Sequence, residues 1–359
     1  MSTPLDVLTN EHSSASVATT VGTWRGETTS MGPVLSALER LRCADAREAM
    51  RASFLTLLAV GGADVEVDEV FDIVHRLGSM QPTRVVVIRV LPGRKHQVSA
   101  RVGVHLIERG SRCLSIDDVA LEVTGPVRSH LDSLVEPLTL PDLPVVVWCR
   151  ERLPPAHSRL IGVGNHLVVD SARAGGRSCL AALAALSRRV PVTDLSWLRL
   201  TLLRRQLALT LRGDDLCSVL DDLAGATVTG PDPGRALLVG WLTDRLGPQG
   251  PAVTDDGEGD GRPSISLSAP DCRVEAVAGD GCVTVTVRRP GAATSSTRPG
   301  ILAVPLASAQ QTGSEARTVA TASPATTEAL LAETLLHLRP DPVFEAALHT
   351  ITATNDGGP

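Results

Sequence analysis

No tyrosine occurs among the 359 residues, and all aromatic side chains together make up 2% of the chain. With so few large rings available, the cores have to be assembled from Leu, Val, Ala and Ile. Lysine is nearly absent too: Lys95 stands alone, and arginine carries almost all the positive charge, a bias that reads as high-GC coding. The net charge is −6 and no basic block is present to track a phosphate backbone, which argues against nucleic acid as a partner. No apolar run approaches the roughly 18 residues that cross a bilayer, so no membrane span is expected. The first thirty residues lack the cationic start and apolar centre of a signal peptide, and their Ser- and Thr-rich composition reads as a disordered leader, 1–30. Seven cysteines, at 43, 113, 149, 179, 217, 272 and 282, form no C-x-x-C pair. An odd, scattered set suits reduced thiols in the cytoplasm. Cys272 and Cys282 flank a predicted hairpin, and they read as small buried hydrophobes.

Recognisable chemistry is also missing. There is no G-x-x-x-x-G-K-[ST], no G-x-S-x-G elbow, and no H-x-x-x-H or H-E-x-x-H spacing among nine histidines. Gly162-Val163-Gly164 starts like a dinucleotide loop, but the third glycine and a following amphipathic helix are lacking, which leaves a plain turn. His105 and His166 sit in or at the edge of strands and read as partly buried imidazoles; a zinc site would need histidines from distant segments. The doublets Asp117-Asp118, Asp214-Asp215 and Asp221-Asp222 read as solvated caps, because sequence neighbours point apart on a helix or strand. No catalytic residue, cofactor or metal is therefore expected, and the reading leans towards a binding protein.

What is present is an alternation of β and α. The length suits two domains. Ser53–Val60 and Arg84–Val90 are continuous apolar runs of the kind buried on both faces, and they flank an amphipathic helix that Gly78 ends. Val98–Ile107 and Leu114–Val123 alternate as half-wet strands, Leu140–Arg150 is a further buried strand, and His166–Val169 a short one. The expected class is α/β: two α/β domains with largely parallel central sheets, 31–155 and 156–359. The second closes on an antiparallel β section, and a Gly-, Pro- and Asp-rich linker lies near 248–263. Residues 307–325 read as loop.

The most strongly patterned stretch is Thr193–Arg212. Thr193 and Asp194 supply capping oxygens, Gly213 a stop, and leucines at helical spacing a broad apolar face. Arg199, Arg204 and Arg205 stand among those leucines with no acid after Asp194, so they should answer an acidic group elsewhere, in this chain or in another. Trp197 beside them reads as core, although Trp next to Arg is also the composition of binding hot spots.

At this stretch the chain resembles the glucose-6-phosphate dehydrogenase assembly protein family, OpcA. Asp194, Leu195, Trp197, Arg199, Leu200, Thr201 and Arg204 follow its D-L-x-W-x-R-L-T-x-W-R pattern, with Leu203 where the family has a second tryptophan. Pro82–Val87, Leu140–Trp148 and Leu338–Glu345 are similar to three further family blocks, in the same order, with Phe344 in place of a tyrosine. The resemblance implies a non-catalytic cytoplasmic protein that binds glucose-6-phosphate dehydrogenase and promotes its active form in the oxidative pentose phosphate pathway. It places partner-contact or contact-supporting roles on Trp197, Arg199 and Arg204. The alternative is a small-molecule-binding α/β enzyme or sensor that uses a strand-end crevice near loops such as Gly61-Gly62.

Overall fold

A computed structural model describes residues 19–44, 53–78, 83–109, 112–154, 158–213, 216–279, 281–289, 307–312, 315–321 and 326–356. Two compact units emerge: residues 1–58 with 63–143, and residues 144–359 with 59–62.

The first unit contains β1 (Thr19–Thr28), α1 (Gly32–Cys43), the first four residues of β2 (Leu55–Gly61), α2 (Val67–Gly78), β3 (Thr83–Val90), β4 (Gln97–Arg109), β5 (Arg112–Thr124) and α3 (Leu131–Val135). Its strands lie in the order β1-β4-β5-β3-β2. The apolar runs of β2 and β3 are buried through most of their length, as their lack of alternation requires. β3 pairs parallel with β5, whereas β4 runs antiparallel to both β5 and β1. Residues 19–28, assigned to a leader on composition, are thus a strand paired with β4, with one shift of register between Thr20 and Gly22. The run T-T-V-G-T-W-R-G-E-T is polar because its side chains stay largely exposed, and composition alone does not separate such an edge strand from coil. After β5 a 3-10 turn over 125–129 gives way at His130 to α3.

The acidic doublet at 117–118 is not a solvated cap. Both residues lie inside β5, 7% and 2% exposed, and point to opposite faces. Asp117 accepts from Arg84 Nη2 at 3.0 Å and is paired with Arg42, while Asp118 faces His75 and His105.

The second unit opens with β6 (Val145–Cys149), α4 (Leu160–Val163), β7 (His166–Val169), α5 (Leu180–Ser187) and β8 (Val192–Asp194), whose strands pair parallel in that order. Then follow α6 (Leu195–Arg199), α7 (Thr201–Leu211), α8 (Cys217–Asp221), β9 (Gly225–Thr229) and α9 (Gly234–Leu246). A second sheet runs β10-β9-β11-β12-β13-β15-β14, with β10 (Val253–Asp255), β11 (Ser264–Ala269), β12 (Cys272–Gly279), β13 (Cys282–Arg288), β14 (Ala307–Thr312) and β15 (Glu315–Thr321). α10 (Thr327–Leu336) and α11 (Pro342–Asp356) end the chain's described part, and α11 packs on α9 and α5. The α/β class holds, with the antiparallel section where it was expected.

Two local readings are corrected. The stretch near 248–263 is no free linker: β10 pairs parallel with β9, and Asp255 is held by Arg177 and Arg235 at 2.7 Å each. Its glycines at 257, 259 and 261 take positive φ and let the chain turn tightly between β10 and β11. Residues 307–312 and 315–321 are paired strands although they lack large apolar side chains, because β13 supplies the template on which β15 and then β14 pair. Gly162-Val163-Gly164 lies before β7 and not after it, so it closes no phosphate loop; a Cβ at Gly164 would meet Val147 Cγ2 at 2.7 Å. Cys272 and Cys282 sit at opposite ends of the β12–β13 ladder, and both are free thiols. Among the described residues no helix is long and apolar enough to cross a membrane.

Candidate functional site

The site grows from the carboxyl ends of β7 and β8. Val169 is paired with Asp194 across these parallel strands, which brings Asp170, the next residue of one strand end, beside the last residue of the other. Asp194 ends β8 in extended conformation and caps α6, accepting from Ser196 N at 3.0 Å; it also accepts from Ser171 N at 2.9 Å and Ser171 Oγ at 2.6 Å. Its exposure is 0%. Burial pushes the carboxyl up to about 6, against the pull of those three hydrogen bonds. Thr193, the other expected cap, lies in β8 and faces His166 Nε2 at 2.7 Å, and burial pushes that imidazole down to about 4.

The helix expected over 193–212 is two helices. At Leu200 the chain tightens, with Leu200 N donating to Trp197 O at 3.1 Å, and α7 then restarts with Arg204 N donating to Leu200 O. The break lets the three marked residues serve separate ends. Arg199 makes a bidentate pair with Asp170, Nη1 to Oδ1 at 2.8 Å and Nη2 to Oδ2 at 2.7 Å. Ser196 Oγ donates to the same Oδ1 at 3.0 Å. Burial works to raise the Asp170 carboxyl, but the Arg199 guanidinium and Ser196 hydroxyl hold it below the usual carboxylate range. The acid that Arg199 was expected to answer is therefore in its own chain.

Trp197 is 1% exposed. Its Nε1 donates to Asp341 Oδ2 at 2.7 Å, and its ring lies 5.6 Å from that of Phe344. Asp341 uses its other oxygen to cap α11, accepting from Val343 N and Phe344 N at 3.0 and 3.1 Å. Arg204 covers the indole face, its guanidinium carbon 3.3 Å from the ring centroid. Burial lowers the Arg204 guanidinium to about 10, with Asp341 opposing, so it stays charged at neutral pH. Trp197 and Arg204 thus belong to one polar and aromatic cluster with Asp341 and Phe344, Arg199 belongs to a second with Asp170 and Ser196, and none of the three is a loose surface group. Asp170, Ser171, Ser196 and Asp341 were not singled out beforehand. Asp170 had a signal, an acid directly after the four apolar residues of β7.

A groove of about 260 Å³ runs along the Trp197, Asp341 and Phe344 cluster, lined also by Leu198, Glu333, His337, Arg339, Pro340 and Pro342 among others. Trp197 and Phe344 form its floor, while Glu333, His337, Arg339 and Pro340 line its more accessible rim.

Two family models match the chain, one for each domain of a protein described as a glucose-6-phosphate dehydrogenase subunit: residues 74–188 match its N-terminal domain, and residues 190–348 its C-terminal domain. No curated protein matches at a significant level. The two family domains take up most of the chain in their proper order, and the chain belongs to the glucose-6-phosphate dehydrogenase assembly protein family.

Proposed function

We propose that this protein binds glucose-6-phosphate dehydrogenase in the cytoplasm and promotes its active form, supporting the oxidative pentose phosphate pathway without catalysing a step itself. The observation that carries this reading is the Trp197–Asp341 hydrogen bond. It joins two family-like blocks, 144 residues apart, into the floor of one groove within the C-terminal family domain. Residues that recur as a family pattern and converge on an open groove are suited to shaping a docking surface. Trp197, Arg199 and Arg204 act as supports in this proposal: buried or locked by partners, they hold the wall, and Leu198 in the groove, with His337 and Arg339 on its rim, makes contact. Docking activates the enzyme to the extent that the active state is bound more tightly than the inactive one.

The test is a titration of the purified protein into the same organism's glucose-6-phosphate dehydrogenase, following NADP reduction and the size of the complex together. Activity should rise as a complex co-elutes. Reversing the rim charge with Arg339→Glu should weaken the complex about tenfold or more while leaving the unfolding midpoint unchanged. No complex and no rise would overturn the proposal. A small-molecule role has its own observation: a cavity of about 440 Å³ in the first unit, lined by Arg25, Arg89 and Arg101 with Glu66, Asp68 and Glu122. A thermal-shift screen with nucleotides and sugar phosphates addresses it, since a ligand at about 100 times its Kd adds about 2.7 kcal/mol.

A further inference from the structure

We infer that His75, His105 and Asp118 in the first unit form a binding site for a divalent first-row transition-metal ion, with Zn²⁺ the leading occupant. This goes beyond partner binding and uses none of the residues assigned to it. The three come from separate elements: His75 from α2, His105 from β4 and Asp118 from the adjacent β5. His75 Nε2 lies 2.7 Å from Asp118 Oδ2, and His105 Nε2 lies 3.1 Å from the same oxygen. One donor atom from each residue falls within 4.8 Å of the other two. Ligands bound at about 2.0–2.2 Å to one ion stand roughly 3 Å apart, so the triad is spaced as a ligand set is.

Three observations favour an ion over plain hydrogen bonds. First, Asp118 is 2% exposed, and the two imidazole nitrogens crowd one of its carboxylate oxygens, Oδ2, while the His75 Nε2 contact is poorly aligned for a hydrogen bond. A buried carboxylate is costly unless a cation answers it. Second, His105 Nδ1 faces Thr20 Oγ1 at 3.2 Å. When Nδ1–H donates to that hydroxyl, the lone pair is on Nε2, the atom turned to Asp118; this is the outer support typical of a ligating imidazole. Third, Gly103 lies opposite Asp118 in the β4–β5 ladder, and a Cβ there would come within 2.7 Å of His105 Nε2. Glycine keeps that approach open.

Two imidazoles and one carboxylate, with no thiolate, suit Zn²⁺ or Fe²⁺ and not Mg²⁺ or Ca²⁺. The triad lines a cavity of about 300 Å³, so three protein ligands would leave a coordination position for water or an anion. The charged groups around it are Asp68, Asp72, Arg25 and Arg101, and Arg101 is already engaged by Asp68.

The experiment uses the full chain, purified without immobilised-metal chromatography. Metal content is measured by mass spectrometry, and the chelator-stripped protein is titrated with Zn²⁺ against a chromophoric competitor. The expected result is one equivalent bound with submicromolar Kd, weakened about 100-fold or more by Asp118→Asn and about 10- to 100-fold by Thr20→Val, which leaves every ligand in place. Zn²⁺ at about 100 times the native Kd should raise the unfolding midpoint of the native chain by several degrees and that of Asp118→Asn by a small fraction of that shift. Should Asp118→Asn fail to fold, Thr20→Val and the native titration still decide. Failure of the stripped protein to bind Zn²⁺, Co²⁺, Mn²⁺ or Fe²⁺ more tightly than about 10 µM would overturn the inference, leaving an imidazolium–carboxylate triad, and so would binding unchanged in Asp118→Asn. Neither readout involves the dehydrogenase, so the outcome is independent of the docking proposal.

Discussion

Arg199 and Asp170 form a two-pronged ion pair, and they differ in exposure: the aspartate side chain is 3% exposed and the arginine 32%. Truncating the arginine removes two of the three hydrogen bonds that hold this buried carboxylate and leaves the one from Ser196 Oγ. Arg199→Ala should therefore cost about 2–4 kcal/mol in urea unfolding, and Arg199→Lys, which keeps charge but not the two-pronged geometry, clearly less. Asp194 and His166 give the site opposite pH responses in one window. The folded Asp194 carboxyl, raised to about 6 from an unfolded value of about 3.9, contributes most below the unfolded value, and that contribution is lost as pH rises through 6. The folded His166 imidazole, lowered to about 4 from about 6.5, contributes fully above the unfolded value and loses that contribution as pH falls towards 4. Between about pH 7 and pH 4, stability of the native chain relative to Asp194→Asn should rise by a few kcal/mol, and relative to His166→Gln should fall. Unfolding midpoints of the three proteins across that range check both signs. Trp197, Arg199 and Arg204 were legible as a group from spacing and pattern. Asp170 and Asp341 were not, because a hydrogen-bond acceptor tens or hundreds of residues away leaves no periodicity to read.

At the scale of elements, the pairing of α9 with α11 shows how closely two helices approach when one presents a glycine. A Cβ on Gly240 would lie 2.5 Å from Ala347 O and 2.6 Å from Ile351 Cγ1, so both backbone and side chain oppose it. Gly240→Ala should lower stability by about 1–3 kcal/mol through forced separation of the helices. Gly162 in α4 has nothing within 4 Å of the same position, and Gly162→Ala should leave the thermal midpoint unchanged or raise it slightly. The buried strands β2, β3, β6 and β7 were readable because an uninterrupted apolar run has few other places to go. The break between α6 and α7 was not: the leucine pattern continues through Leu200, and the turn there shows only in the backbone hydrogen bonds, Leu200 N to Trp197 O and Arg204 N to Leu200 O. β14 and β15 were missed for the complementary reason, since Ala, Ser, Gln and Thr become strand when a neighbouring edge supplies partners.

For the molecule as a whole, the proposed activation carries a thermodynamic obligation. If binding favours the active dehydrogenase by some factor, then whatever stabilises that active state must tighten the complex by the same factor. With a saturating substrate or NADP that prefers the active form, the Kd of the complex should fall by about 5- to 150-fold, the range of ordinary coupling free energies. Equilibrium titration with and without the nucleotide measures it, and an unchanged Kd would mean that docking does not act through that equilibrium.

The sequence by itself determined the α/β class, the buried strands, the family and the positions of the three marked residues. Each of these follows from hydrophobic period, turn chemistry or a local pattern, all of which are written in neighbouring residues. Only the tertiary structure decided which groups meet: that Arg199 answers Asp170, that Trp197 rests on Asp341, and that His75, His105 and Asp118 converge beside one glycine. Those meetings depend on strand order, ladder register and a helix break. These are set by burial of the whole core, and no short stretch of the chain encodes them.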